Sequence, residues 1–255
     1  MIERYLAAHP LYLDYMPGRS SMLVLAFTGV GDRTEPVPSP EAIRLTGWDG
    51  ENHVLFITDA SRSWMNADGL VETLQAAVAR LVEAIKPDRI VAFGNSMGGT
   101  SALIYASLAR VDSLLAIVPQ FSVHPEIIPE ERRWGHFRVN IANWRFPAVP
   151  DLSDRKTEIM VVHGGDVGEL IHARRFNAGP NMDHYVVPQY GHALARCLKM
   201  KRHLRPLMEH VFNGNMAEAR AVVETAGGER FVDHWRQRRL AKRQARKERR
   251  NAAAV

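Results

Sequence analysis

The chain has 255 residues, 46% of them hydrophobic, enough to bury the core of one sizeable domain. No apolar run approaches the roughly 20 residues that span a bilayer, and the single cysteine, Cys197, excludes an intramolecular disulfide. The net charge of +5 belongs to one end: residues 229–255 hold ten Arg and Lys against Glu229, Asp233 and Glu248, which leaves the preceding 228 residues slightly acidic and excludes a basic, nucleic-acid-binding body.

An early acid at Glu3 and the lack of the apolar run of about 7–15 residues found in secretory signals predict a cytoplasmic protein. A weak strand at Leu11–Tyr15 precedes apolar strands at Met22–Thr28 and His53–Thr58. Gly69–Lys86 then carries Leu70, Leu74, Ala77, Val78, Leu81 and Ile85 on one helical face, with Pro87 as its stop. Strand Arg89–Gly94 runs into helix Met97–Arg110, and strand Ser113–Val118 follows. Between 121 and 154 the rhythm breaks: prolines at 125, 129, 147 and 150 and aromatics at Trp134, Phe137, Trp144 and Phe146 predict an inserted cap. Strand Glu158–His163, helix Leu170–Ala178, strand Asp183–Pro188 and helix Ala193–Phe212 complete the body. A polar helix over about 229–249 ends the chain. The alternation predicts an α/β fold, a mostly parallel sheet flanked by helices. It forms one domain over 1–228, with a basic helical extension over 229–255.

The strongest local signal is Gly94-Asn95-Ser96-Met97-Gly98, set between a buried strand and a helix. A bare Gly-x-Ser-x-Gly arises easily by chance; the strand–turn–helix setting is what identifies a nucleophile elbow. The turn is sharp and strained, so the positions two before and two after the serine must be small, and Gly94 and Gly98 are. Ser96 then stands at a helix N-terminus, where unpaired amides favour a developing oxyanion. Met97 N–H is the expected first donor, with Gly29 as the second and Thr28 next, from the loop after Met22–Thr28.

A serine hydroxyl needs a base, and the base needs an orienting acid. His192, in Tyr190-Gly191-His192 after the last apolar strand, is the expected base. His163 is placed at a strand end where it can line the site, His172 and His184 in ordinary packing roles, and His124 and His136 in the cap. Asp166, after Gly164-Gly165 at the end of strand Glu158–His163, is the expected acid; an N-cap role is its competing use, with Glu169 as the substitute. The chain order Ser96, Asp166, His192 is that of α/β-hydrolases.

On the elbow, Asp166 and Gly191-His192, the chain resembles the α/β-hydrolases from about Met22 to Phe212. More narrowly, residues 94–103, Val118-Pro119-Gln120-Phe121-Ser122-Val123 and Arg132-Arg133-Trp134 are similar to hydrolase-like proteins linked to bacterial surface-polysaccharide production. The resemblance implies a carboxylic ester hydrolase working through an acyl-enzyme on Ser96, with an ester on a sugar, such as an O-acetyl group, as substrate. Acyl transfer by the same residues and a non-catalytic binding protein are the alternatives. Trp134, Trp144 and Phe137 either stack on sugar faces or fix the cap over the core. No cofactor or metal is expected. The tail basic residues Arg236, Arg238, Arg239, Lys242, Arg243, Arg246, Lys247, Arg249 and Arg250 lack interleaved aromatics and predict, at most, contact with a polyanion or a membrane surface.

Overall fold

The computed structural model describes residues 1–252. Its centre is one nine-stranded sheet in the order β1-β2-β4-β3-β5-β6-β7-β8-β9. The strands are β1 (Glu3–Ala8), β2 (Leu11–Met16), β3 (Met22–Phe27), β4 (His53–Asp59), β5 (Arg89–Asn95), β6 (Ser113–Ile117), β7 (Glu158–Gly164), β8 (Met182–Val187) and β9 (Glu229–Arg230). The run β4-β3-β5-β6-β7-β8 is parallel; β1, β2 and β9 add antiparallel edges.

Parallel strands buried on both faces explain the continuous apolar runs. In β3, Leu23, Leu25 and Phe27 enter one core and Val24 and Ala26 the other; in β5, Ile90 and Ala92 oppose Val91 and Phe93. The period of two thus splits each strand between two cores. The first core is covered by α2 (Leu70–Ile85) and α3 (Met97–Leu108), the second by α6 (Leu194–Met200), α7 (Leu204–Phe212) and α8 (Met216–Thr225). Fully burying one such Leu, Val or Phe side chain is worth about 1.5–3 kcal/mol, so each core is a main source of stability. The short helices are α1 (Ile43–Gly47), α4 (Gly135–Arg138) within the cap stretch, and α5 (Val167–Ala173); the long α9 (Phe231–Ala252) ends the fold.

Four expectations about the elements change. β1 is an edge strand whose residues are nearly all exposed, so it carries no apolar alternation to read. The single helix expected over Ala193–Phe212 divides into α6 and α7 at Arg202, which has a left-handed φ of 62°. The helix expected at Leu170–Ala178 begins earlier, at Val167, because Asp166 caps it, and ends at Ala173. α8 went unpredicted, although Met216, Ala219 and Val223 form a buried stripe at helical spacing. The extension does not hang free at its start: β9 pairs with β8, and Phe231 stacks on His184 at 4.6 Å. The side chains of Lys242, Arg246, Lys247, Arg249 and Arg250 lie outside the described residues. Among the described residues no helix is long and apolar enough to cross a membrane.

Candidate active site

The elbow forms because β5 must turn straight into α3 while α3 packs against β3. Ser96 sits between them with φ 56° and ψ −124°, a strained conformation for a non-glycine residue. Close approach, not φ, demands the flanking glycines: a Cβ on Gly94 would lie 2.1 Å from Gly98 O, and one on Gly98 would lie 2.2 Å from Phe27 O. Ser96 is the residue before the first turn of α3 and makes no side-chain cap to that helix's first amides. Ser96 itself is only 4% exposed.

The loop after β8 delivers His192, whose Nε2 lies 3.0 Å from Ser96 Oγ. Its Nδ1 is met at 2.8 Å by Glu169 Oε1, not by Asp166. Asp166 is exposed, and its Oδ1 accepts the Glu169 backbone N–H at 2.8 Å as the N-cap of α5. The competing role weighed for Asp166 is therefore the one it fills. One turn further on, Glu169 points inward and is fully buried. The expectation for the acid is corrected to Glu169.

Glu169 is held from a second side. Arg133, from the cap, donates Nη1–H to Glu169 Oε1 at 2.7 Å and Nη2–H to Glu131 Oε2 at 2.6 Å, and Glu131 Oε2 also meets His172 Nε2 at 2.8 Å. Burial by itself would raise the Glu169 carboxyl; the His192 hydrogen bond, the neighbouring imidazoles and Arg133 outweigh it and keep the group below the ordinary carboxylate range. Glu131 is likewise pushed up by burial but held at about 2 by His172 and Arg133. Both acids are thus charged and paired at neutral pH. Arg133 enters the sequence reading only within Arg132-Arg133-Trp134 and Glu131 not at all, since Glu169 and His172, which they hold, lie 36 and 41 residues away.

The loop after β6 supplies a further polar group. Gln120, fully buried, places Nε2 3.1 Å from Ser96 Oγ and Oε1 3.0 Å from Trp64 Nε1. Its backbone carbonyl accepts Thr100 Oγ1–H at 2.8 Å. Its sequence signal was a polar residue directly beyond a core strand, at the same sheet edge as Ser96 and His192.

Of the expected oxyanion donors, Thr28 is ruled out: its N–H donates to Ile57 O at 3.0 Å, which extends the β3–β4 pairing. Gly29 lies beside the elbow, where a Cβ would come 3.3 Å from Asn95 O and 2.9 Å from Glu41 Oε1. Its N–H is engaged by the Glu41 carboxyl, which burial raises above its ordinary value. Among the aromatics, Trp134 reaches the site, its ring 5.3 Å from His192 and 6.2 Å from Trp64. Phe137 packs with Trp64, Met97 and Val123 in a small core of the cap, and Trp144 lies at that core's margin, 4.7 Å from His124. His163 donates Nε2–H to Pro119 O at 3.0 Å, next to Gln120, and its other nitrogen meets His184 Nε2 at 3.1 Å. Among the described residues no three His, Cys, Asp or Glu side chains converge on a position for a metal ion.

No family model matches the chain, and no curated protein matches it. Among solved structures it is similar to the capsule O-acetyltransferase of Neisseria meningitidis serogroup A, at 12% identity and TM-score 0.56 over 80% of this chain and 93% of that one. It is similar also to an esterase of Pyrococcus furiosus, at 16% identity and TM-score 0.53 over 78% of this chain and 85% of that one. An acylaminoacyl peptidase of Pyrococcus horikoshii aligns at 9% identity and TM-score 0.60 over 82% of this chain but 41% of its own. At these identities the likeness is one of fold, and it agrees with the parallel sheet and the elbow: the chain has the α/β-hydrolase fold.

Proposed function

We propose that this chain cleaves or transfers an acyl group through an ester intermediate on Ser96. The observation that carries the reading is the unbroken hydrogen-bonded line from Ser96 Oγ through His192 to Glu169, at 3.0 and 2.8 Å, on a serine in the strained elbow conformation. His192 Nε2 takes the hydroxyl proton as Oγ attacks the ester carbonyl. The carbonyl electrons pass to oxygen beside Met97 N–H. When they return, the alcohol leaves with the proton held by His192, and a water or second alcohol repeats the sequence on the acyl-enzyme. Glu169 fixes the imidazole tautomer and offsets its positive charge.

The esterase and O-acetyltransferase among the structural neighbours are consistent with ester chemistry. An O-acetyl ester on a sugar is the substrate we favour, with Trp134 beside His192 as the face on which a sugar ring stacks. Transfer is the second reading, since an O-acetyltransferase is among the structural neighbours and the same residues serve either acceptor. The lone Cys197 fits a reducing, cytoplasmic setting.

The test is covalent labelling by a fluorophosphonate, with the adduct mapped by mass spectrometry, alongside an ester panel from acetyl to long acyl chains that includes acetylated sugars. An adduct on Ser96 and loss of turnover in Ser96→Ala are expected. A folded protein that takes no label at Ser96 overturns the acyl-enzyme reading. Product partitioning between water and an added sugar alcohol separates hydrolysis from transfer.

A further inference from the structure

We propose that Gln120 is a catalytic residue of this site, a side-chain donor that fixes the Ser96 hydroxyl for attack; this rests on the reading of Ser96 as nucleophile. Gln120 touches the reacting atom itself, with Nε2 3.1 Å from Ser96 Oγ.

The direction of every hydrogen bond in the line is determined by its ends. An indole N–H only donates and a carboxylate only accepts. Trp64 Nε1–H therefore donates to Gln120 Oε1, which turns the amide so that Nε2–H donates to Ser96 Oγ. At the far end Glu169 accepts the hydrogen bond from His192 Nδ1–H, which leaves Nε2 as a bare acceptor for the serine O–H. With one lone pair of Oγ occupied by Gln120, the hydroxyl proton has a single place to point. As that proton passes to His192, the same amide hydrogen bond strengthens against the charge growing on Oγ.

The surroundings are built to hold this amide. Gln120 and Trp64 are both buried, at 0% and 1% exposure. Each is reached through left-handed backbone that its residue type disfavours: Val118, two residues before Gln120, has φ 45°, and Trp64 has φ 51°. The loop bearing Trp64 is tied by Asp59 Oδ2, which accepts from Ser63 N–H and Ser63 Oγ–H at 2.7 Å each. Strain of this kind persists where the surrounding structure enforces it, and here both strained positions serve the same pair of side chains.

The test measures the second-order rate of Ser96 phosphonylation, with kcat and KM on an acetyl ester, for wild type and for Gln120→Met, Gln120→Glu and Trp64→Phe, each with its melting temperature. Gln120→Met, which removes the donor and keeps the volume, is expected to lose about tenfold or more in labelling rate and in kcat with KM little changed, the effect of one hydrogen bond to the reacting atom. Gln120→Glu keeps the shape and the Trp64 bond but, once ionised, only accepts and draws the serine proton away from His192. Its loss should therefore equal or exceed that of Gln120→Met and deepen toward alkaline pH. A purely structural role lowers the labelling rate only in step with the melting temperature. Trp64→Phe, which frees the amide to turn, should lose less than either. A labelling rate within twofold of wild type in a Gln120→Met variant that keeps its melting temperature overturns the proposal. A wild-type chain that takes no label at Ser96 overturns the nucleophile reading and this one with it.

Discussion

Glu169 Oε1 stands 2.8 Å from His192 Nδ1, while Asp166, three residues earlier, gives its carboxylate to the Glu169 backbone N–H at 2.8 Å. The exposed residue shapes the helix start and the buried one faces the imidazole. Replacing Glu169 with Gln should therefore lower kcat by about 10³–10⁴, because the neutral amide no longer stabilises the imidazolium or selects its tautomer. Asp166→Ala should cost about 1 kcal/mol of stability as a lost N-cap and leave kcat within a few-fold of wild type. Steady-state kinetics and urea unfolding of the two variants check this; the reverse order of effects would return the role to Asp166.

Arg133 joins the cap to the acid by bonds to both Glu131 and Glu169. The two carboxylates are 1% exposed, so Arg133→Met leaves both without their guanidinium and held only by His172 and His192, a loss of up to about 3–5 kcal/mol. Adding Glu131→Gln should recover part of it, since one of those charges is then gone. Unfolding curves of the single and double variants provide the measurement, and additive losses would show that the two residues do not share an interaction.

Burial pushes His163 down to about 4 and His184 well below the ordinary histidine value of 6.5. Between pH 6.5 and about 4 the unfolded chain binds protons that the folded chain refuses, so stability is complete above this window and falls as pH is lowered through it. The melting temperature should decline on acidification from pH 6.5, before the carboxylates titrate. His184→Gln should flatten that decline and also loosen α9, whose Phe231 stacks on the ring.

Gly98→Ala should cost several kcal/mol, about 3 or more, because its Cβ would meet the Phe27 carbonyl rather than a flexible side chain. Ser96 labelling should fall with it, since the strained turn no longer closes. Thermal unfolding and fluorophosphonate labelling of this variant test both.

On α9, Arg236, Arg239 and Arg243 share one surface with Val232, Trp235 and Leu240, and Val232 and Leu240 are each 57% exposed. Removal of residues 236–255 should abolish salt-sensitive binding to anionic vesicles and leave ester turnover intact. Vesicle co-sedimentation across a salt series decides it; binding that survives the truncation assigns the interaction elsewhere.

Local chemistry made the sheet, the elbow and His192 readable in the sequence. Apolar runs of the right length, glycines flanking Ser96 and a histidine just past the last core strand each act within a few residues of themselves. The same locality concealed the acid, since Asp166 and Glu169 lie three residues apart at the start of α5 and only the rotation of that helix decides which carboxylate turns inward. Glu131, Arg133, Gln120 and Trp64 became part of the site only through tertiary structure, because Glu169, His172 and Ser96, which they hold, and the Trp64–Gln120 pairing all bridge tens of residues of chain. Sequence by itself determined that a serine, a histidine and an acid would gather at the ends of parallel strands. Which acid, and which amide holds the serine, depended on burial and distance, quantities that exist only once the chain has folded.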